Sequence, residues 1–208
     1  MSDRYKINID KRWSLEDLYV FSRTYEQVYF LAYSLLPDLP DGAVDRVSRA
    51  YQTFPWRGGY SAVNFYNQLK YSVPSTERPT VLAIRYASPG FLELGVLLGV
   101  ACSVSKLVKY VAGSLKEMNS AYNEIMTDLQ KRKLLRLEVK KKEIELSQAQ
   151  FRAVEEHADS MAKLLGFNGH AALTERTGHP FITLKILLSY YRRLRKLAEY
   201  QSKGKADL

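Results

Sequence analysis

The sequence is poor in the residues on which many enzymes and metal sites depend. It has a single cysteine, Cys102, and three histidines, His157, His170 and His179. One cysteine cannot close an internal disulfide, so a disulfide-stapled scaffold is excluded and a reducing compartment is expected. No histidine has a Cys or a second His at metal-binding spacing, and the Walker, GxSxG and dinucleotide-binding fingerprints are missing from the sequence. We therefore expect no catalytic residue of these classes, no metal and no cofactor.

Long apolar runs are also missing. The most apolar stretch covers residues 91–112, and its charge-free part, Leu94 to Ser105, has 12 residues. As a helix this part would span about 18 Å, against about 30 Å of hydrocarbon in a bilayer. The stretch predicts a buried core helix, with a membrane-inserting segment as the alternative because Lys106 and Lys109 could snorkel. The N-terminus has no apolar h-region typical of a secretory signal, so a cytoplasmic location is expected.

Acidic residues are fewer than basic ones. Asp plus Glu number 22 against 31 Lys plus Arg, which gives a formal charge of +9. One basic cluster lies between residues 192 and 205, and the other consists of Lys131, Arg132, Lys133, Arg136, Lys140, Lys141 and Lys142. Such clusters can contact nucleic-acid phosphates or anionic lipid. The simpler interpretation is a solvated helix face, because acidic residues follow at positions 143, 145, 155 and 156.

The pattern of apolar residues predicts a mainly α protein with a minor β component. Residues 5–10 and 81–87 alternate in hydrophobicity, which predicts two strands that pair with each other against helices or extend a sheet across an oligomer. Helical spacing predicts helices over 15–36, 42–52 and 61–73, and Ser14 with Asp17 forms a capping box before the first of them.

Further helices are predicted for the rest of the chain. Ser88-Pro89-Gly90 is typical of a helix start, so residues 91–111 are expected to form an apolar helix with a small-residue stripe at Gly95, Gly99 and Ser103. Apolar steps of three, four and seven then predict a long, coiled-coil-like segment over 114–165.

The last part of the chain is predicted to hold one more helix. It opens at Pro180, and the residues from 202 onward are expected to be loose. The expected division is an α+β part over 1–113, the long amphipathic segment over 114–165, and a C-terminal helix with a basic tail over 166–208.

Aromatic residues are the most abundant candidates for contacts with a partner. The chain has 15 Tyr, 8 Phe and 2 Trp, and residues 54–71 interleave aromatic with polar and basic side chains. This mixture is typical of a protein-binding hot spot, a stacking surface for single strands, or a core with tyrosine hydroxyls at the surface. Together with the apolar helix and the long amphipathic segment, it predicts these oligomer or partner contacts: Trp56, Tyr60, Phe65, Gly95, Gly99, Leu137, Ile144 and Phe151.

One pair of residues has the spacing of a ribonuclease motif. Arg152 and His157 are separated by four residues, and this spacing resembles that of HEPN-type ribonucleases, in this motif only. The resemblance implies a dimer that brings two such pairs together, with the histidine as acid or base. The chain departs from the family pattern at Ala153, where a polar residue is common.

Together these features favour a non-enzymatic, oligomerising interaction protein, a scaffold or accessory subunit of a larger cytoplasmic assembly. A bacterial defence-type complex is one setting that fits. The long amphipathic segment supports this interpretation, because its apolar stripe needs other helices to bury it. We expect a homo-oligomer with a protein partner. The alternatives are a nucleic-acid-binding protein that uses the basic clusters, a membrane-perturbing effector and a HEPN-like ribonuclease.

Overall fold

The computed structural model describes residues 3–40, 42–53, 61–135 and 146–208. Of these residues 67% are helical, and they form eight α-helices and one four-stranded antiparallel sheet, which confirms the mainly α class with a minor β component. The helices are α1 (Leu15–Ser34), α2 (Ala43–Thr53), α3 (Ser61–Ser72), α4 (Leu98–Gly113), α5 (Leu115–Lys131), α6 (Gln148–Leu164), α7 (Ala171–Thr177) and α8 (Pro180–Ser202). The strands are β1 (Asp3–Ile9), β2 (Thr80–Arg85), β3 (Gly90–Val96) and β4 (Ala206–Asp207).

The chain divides into two compact units, each built from separated segments. Unit 1 contains Met1–Ala43, Leu69–Leu115 and Arg192–Leu208, and unit 2 contains Val44–Gln68 and Lys116–Tyr191. Helices α3 and α8 therefore contribute residues to both units. The three-part division along the sequence stays a prediction.

The sheet belongs to unit 1 and has the order β2-β3-β1-β4. One face is covered by α1 and α4, and on it Ile7, Leu92 and Leu94 are buried. Arg4 and Lys6, which alternate with the buried residues of β1, are exposed on the opposite face. This alternation follows from the two-residue period of a strand.

The sheet has four strands where the sequence pattern predicts two, and the extra central strand is β3. The expected helix over 91–111 is wrong in its first third, because β3 extends to Val96 and α4 begins only at Leu98. Gly95 therefore lies in a strand and shares no helical stripe with Gly99. A short apolar run does not discriminate between strand and helix. Here pairing with β1 on one side and β2 on the other decides the outcome.

The start of α1 is set by its local sequence. The Ser14 hydroxyl accepts a hydrogen bond from the backbone N–H of Asp17 at 3.0 Å, and the Asp17 carboxylate accepts one from the backbone N–H of Ser14 at 2.9 Å. The capping box predicted from the sequence is thus confirmed. Phe21, Tyr25 and Val28 follow at helical spacing and bury one side of α1 in the core of unit 1.

The C-terminal residues are packed within unit 1, so the expectation of a loose tail is wrong. Ala206 pairs with Ile9 of β1, and Leu208 is buried. The hydroxyl of Ser105 donates to the backbone oxygen of Leu208 at 2.9 Å across 103 residues of sequence. The composition of the C-terminal residues alone does not predict contacts with residues so far away in the sequence.

The described residues of unit 2 form helices joined by turns, with no strand among them. Helix α6 begins with a second capping box, formed by Ser147 and Gln150. The buried stripes of α5 and α6 consist of Met118, Tyr122, Ile125, Leu129, Ala153, Val154, Ala158, Met161 and Ala162. Leu137 and Ile144 of the expected coiled-coil stripe lie outside the described residues, so that stripe stays a prediction.

Candidate functional site

Strand β2 lies at the edge of the sheet, and its apolar side chains are exposed. Among the described residues it pairs with β3 alone. Val81, Leu82 and Ile84 are 55%, 49% and 51% exposed. An edge strand presents unpaired backbone N–H and C=O groups that a further strand can bind. The outer edge of β2 is therefore a candidate docking edge.

A β-bulge sets the direction of the side chains on β2. Val81 pairs with Leu94 and Ile84 pairs with Leu92, while the register shifts between Val81 and Ala83. Residues three apart in a regular strand point to opposite faces. The extra residue of the bulge brings Val81 and Ile84 to the same face, the one covered by helices.

The covered face of the sheet is wider than the helix layer above it. Leu92 and Leu94 are 4% exposed, whereas Val81 and Ile84 on the adjacent strand are half exposed. Between α1 and this part of the sheet lies a cavity of about 530 Å³ that is partly open to solvent. We call this cavity the α1–β2 groove, and its aliphatic and phenyl lining consists of Leu18, Phe21, Val81, Ile84, Leu92 and Leu94. Its size and composition are typical of ligand sites.

Two charged residues of α1 line the α1–β2 groove. The Nζ of Lys70 donates to the Glu26 carboxylate at 2.7 Å, so the charge of Glu26 is compensated within unit 1. Arg23 is exposed and, in the part of the chain that the structure describes, makes no ion pair or hydrogen bond. The uncompensated charge at the groove is therefore positive.

Two tyrosines of α1 fix the segment that leads into β2. The Tyr29 hydroxyl donates to the backbone oxygen of Glu77 at 2.9 Å and accepts from the backbone N–H of Leu97 at 2.9 Å. The Tyr33 hydroxyl donates to the Glu77 carboxylate at 2.7 Å. Burial raises the pKa of Tyr29 to about 12, so its hydroxyl remains a donor at neutral pH. These bonds tie the 3-10 turn Ser75–Glu77, and hence the start of β2, to α1.

A second set of contacts anchors the C-terminal segment at the start of α1. The Asp17 carboxylate accepts from Lys205 Nζ at 2.9 Å and from the Tyr200 hydroxyl at 3.2 Å, in addition to its capping bond with Ser14. The bonds from Ser14 and Lys205 lower the pKa of Asp17 well below the ordinary value for aspartate. Trp13 stacks on Tyr200 with ring centroids 5.4 Å apart.

Two of the predicted oligomer contacts, Phe65 and Phe151, lie in unit 2. Phe65 is buried in unit 2, where its ring packs on Tyr51 and Tyr66. Phe151 is 36% exposed near the start of α6 and meets the ring of His179 edge-on.

The remaining predicted contacts are divided between unit 1 and undescribed parts of the chain. Gly95 is buried in β3, and Gly99 is exposed in the first turn of α4. Trp56, Tyr60, Leu137 and Ile144 lie outside the described residues.

The first basic cluster lies only partly within the described residues. Lys131 and Lys133 are exposed at the end of α5. Arg132 donates to Asp128 at 2.7 Å, so its charge is compensated within unit 2. The other members, Arg136, Lys140, Lys141 and Lys142, fall outside the described residues. Nucleic-acid binding through this cluster stays a prediction.

The pair with ribonuclease spacing lies on α6 of unit 2. His157 Nε2 is 2.8 Å from the carboxylate of Asp128, whereas Arg152 is exposed. Hydrogen bonds from Arg132 and His157 lower the pKa of Asp128. Five residues on a helix correspond to a rotation of about 140°, so Arg152 and His157 leave the helix in different directions. Ribonuclease activity stays a prediction.

The other two histidines take part in a hydroxyl network around the α7–α8 turn. His170 Nδ1 and the Thr174 hydroxyl are 2.9 Å apart, and the Thr174 and Thr183 hydroxyls are 3.0 Å apart. The backbone N–H of Phe181 donates to His179 Nδ1 at 3.1 Å. These bonds satisfy polar groups at the ends of α7 and α8.

Two classes of site are not found in the described part of the chain. There, no group of three or more His, Cys, Asp or Glu side chains could hold a metal ion. Nor does any one helix there combine the length and the apolar composition needed to cross a membrane, and α4 and α5 meet these criteria only as a bent pair.

Comparison with known proteins gives no precedent for this chain: no protein-family model, no curated protein and no solved structure matches it.

The sequence pattern predicts strand β2 but does not identify it as an edge. Residues 81–84 are apolar at all four positions, so the sequence pattern does not reveal the bulge, which is defined by the pairing of β2 with β3. Leu18 fits the predicted buried stripe of α1, but the structure leaves it half-buried at the groove. Tertiary structure decides which residues of a helix stay uncovered by neighbouring elements, and the helical spacing of apolar residues does not.

Proposed function

We propose that the protein is a non-enzymatic interaction protein that self-associates by pairing β2 with the β2 strand of a second copy. We propose further that it acts as a scaffold or accessory subunit of a larger cytoplasmic assembly. The observation that supports self-association is the exposed apolar edge of β2, where Val81 and Ile84 are more than half exposed. Soluble proteins usually shorten, charge or cover such edges, because an apolar edge promotes pairing.

The side-chain pattern of β2 is compatible with pairing about a two-fold axis. With antiparallel strands and the axis at the middle of β2, Val81 of one copy faces Ile84 of the other, and Thr80 faces Arg85. Val81 and Ile84 belong to the covered face, whereas Thr80 and Arg85, the partners of Gly95 and Phe91, belong to the opposite face. Each of these four side chains then meets one on its own face, and no like charges oppose each other. The bulge does not disturb this register, because both strands have the same two residues between positions 81 and 84.

The first experiment is absolute mass by light scattering over a range of protein concentrations. A dimer has a mass of 47.8 kDa, twice the 23.9 kDa of one chain. A mass of one chain at every concentration contradicts the proposal. Absorbance at 260 and 280 nm in the same runs tests the nucleic-acid alternative, because bound nucleic acid that dissociates at high salt favours the basic clusters instead.

A complementary pair of variants tests the register. A two-fold dimer contains the contact between positions 81 and 84 two times. In a homodimer of Val81→Glu or of Ile84→Lys, both of these contacts would place a charge opposite an apolar side chain, so each variant alone is expected to be monomeric. In an equimolar mixture, one Glu–Lys pair and one unchanged Ile84–Val81 pair can form, and a heterodimer is expected. Val44→Glu is the matched control, because Val44 is 50% exposed on α2 of unit 2. Dimers that persist in both single variants contradict pairing through β2.

A further inference from the structure

We infer that the α1–β2 groove binds a small anionic amphiphile, a molecule with one carboxylate head and an apolar chain. The inference goes beyond self-association and does not depend on it. Pairing through β2 joins backbone groups in the plane of the sheet and places Val81 beside Ile84 of the second copy, whereas the groove is the space between α1 and the covered face of that sheet.

The body of the groove is suited to an apolar chain. Val81 and Ile84 form part of its floor and are half exposed although they lie on the covered face of the sheet. Leu18 and Tyr19 line it from α1, and Tyr19 is 64% exposed. Water in contact with these side chains would be displaced by an apolar chain, which is the main source of affinity in sites of this kind.

The volume of the groove is that of a small-molecule site. The cavity measures about 530 Å³, within the roughly 300–1,000 Å³ of known ligand pockets. An extended apolar chain with one small head group is a ligand of the size that such pockets hold.

The charge at the groove selects an anionic head. Glu26 is neutralised by Lys70 at 2.7 Å. Arg23 has no ion pair or hydrogen bond within the described residues, and it lines the groove beside Ser22. A guanidinium group binds a carboxylate through two parallel hydrogen bonds, which a neutral or cationic head cannot form.

The test uses three probes with the same ten-carbon chain, decanoate, decanol and decylamine, below the concentrations at which they aggregate. Methyl chemical shifts in NMR titrations report where and how tightly each probe binds. We expect decanoate to saturate one site per chain, to shift the methyl signals of Val81, Ile84 and Leu18, and to bind about tenfold more tightly than decanol. Equal affinities for the three probes would overturn the carboxylate specificity, and unshifted groove methyls would overturn the site.

Three variants test separately the contact with the carboxylate head of the probe, the space for its apolar chain and the total charge of the protein. Arg23→Gln is expected to lower the affinity for decanoate to that for decanol. Arg4→Gln removes the same charge from the opposite face of the sheet and is expected to leave binding unchanged. Ser22→Trp fills the groove and is expected to abolish binding of all three probes. Arg23, Ser22 and Arg4 are exposed, so their replacement is compatible with folding.

Light scattering on the same samples separates the inference from the proposed function. A dimer that binds none of the probes overturns the inference alone, whereas a monomer that binds decanoate overturns self-association alone. Binding to anionic vesicles without binding to monomeric decanoate also overturns the inference, because it indicates a membrane surface as the ligand.

Discussion

Replacement of Asp17 by alanine tests how the C-terminal segment is held on unit 1. The carboxylate of Asp17 accepts the capping bond from Ser14 and the bond from Lys205, both at 2.9 Å. Loss of the capping bond is expected to cost about 1 kcal/mol. Loss of the ion pair adds about 0.5–1 kcal/mol, because the side chains of Lys205 and Asp17 are 25% and 21% exposed. The expected total is about 2 kcal/mol.

The pH dependence of this loss has a defined sign. The pKa of Asp17 is lowered in the folded protein, so its contribution to stability is fully present above the ordinary aspartate value, near 3.8. Below that pH the unfolded chain takes up a proton that the folded chain does not, and the contribution declines. The difference in stability between the native protein and Asp17→Ala should therefore shrink as the pH falls below about 4.

Urea unfolding followed by the fluorescence of Trp13 measures the effect locally. The ring nitrogen of Trp13 donates to the backbone oxygen of Lys205 at 3.2 Å, so this tryptophan reports release of the segment. The chain has 2 Trp, so a Trp56→Phe background leaves Trp13 as the only one. Glu16→Ala is the control, because it removes the same charge from the same helical turn and should cost less than about 0.5 kcal/mol. Equal losses in the two variants, or a difference that grows at acidic pH, would refute the reasoning.

Gly90→Ala and Tyr29→Phe test the backbone positions around the α1–β2 groove, and Gly99→Ala serves as a control. A Cβ atom at Gly90 would overlap the backbone oxygen of Arg85 and lie 2.7 Å from the backbone oxygen of Ala87. Gly90→Ala should therefore lower the free energy of unfolding by more than about 2 kcal/mol. Gly99 has open space around it, so Gly99→Ala should change the free energy of unfolding by less than about 0.5 kcal/mol in thermal unfolding. Tyr29→Phe should cost about 1–3 kcal/mol, because it leaves the N–H of Leu97 without its acceptor. Hydrogen exchange at the Leu97 amide should accelerate in that variant, and an unchanged rate would contradict the assigned role of the hydroxyl.

Elements defined by local signals could be predicted from the sequence. The capping box at Ser14 and Asp17 is complete within four residues, and α1 begins where it predicts. The final helix was expected at Pro180, and α8 begins there. In each case the determining interactions lie within one or two turns of helix, and local spacing reports them.

Elements defined by distant neighbours could not be predicted in this way. Residues 91–96 are apolar enough for a buried helix or a buried strand, and only the ladders to β1 and β2 decide between them. The same holds for β4, whose partner Ile9 is separated from Ala206 by nearly the whole chain. The candidate site could not be predicted for the same reason, because it depends on which part of the sheet α1 leaves uncovered.

The interleaving of the two units has a consequence for synthesis on the ribosome. The segment Arg192–Leu208, which completes unit 1, leaves the ribosome 76 residues after Leu115, since 191 − 115 = 76. At about 5–20 residues per second, this interval lasts about 4–15 s. During it, α1 lacks the segment Arg192–Leu208, so Gln27 and Asp17 have no Arg193 or Lys205 to bind. Unit 1 of a nascent chain therefore stays incomplete until Arg192–Leu208 has been synthesised, and the side of α1 that this segment covers stays exposed during the interval.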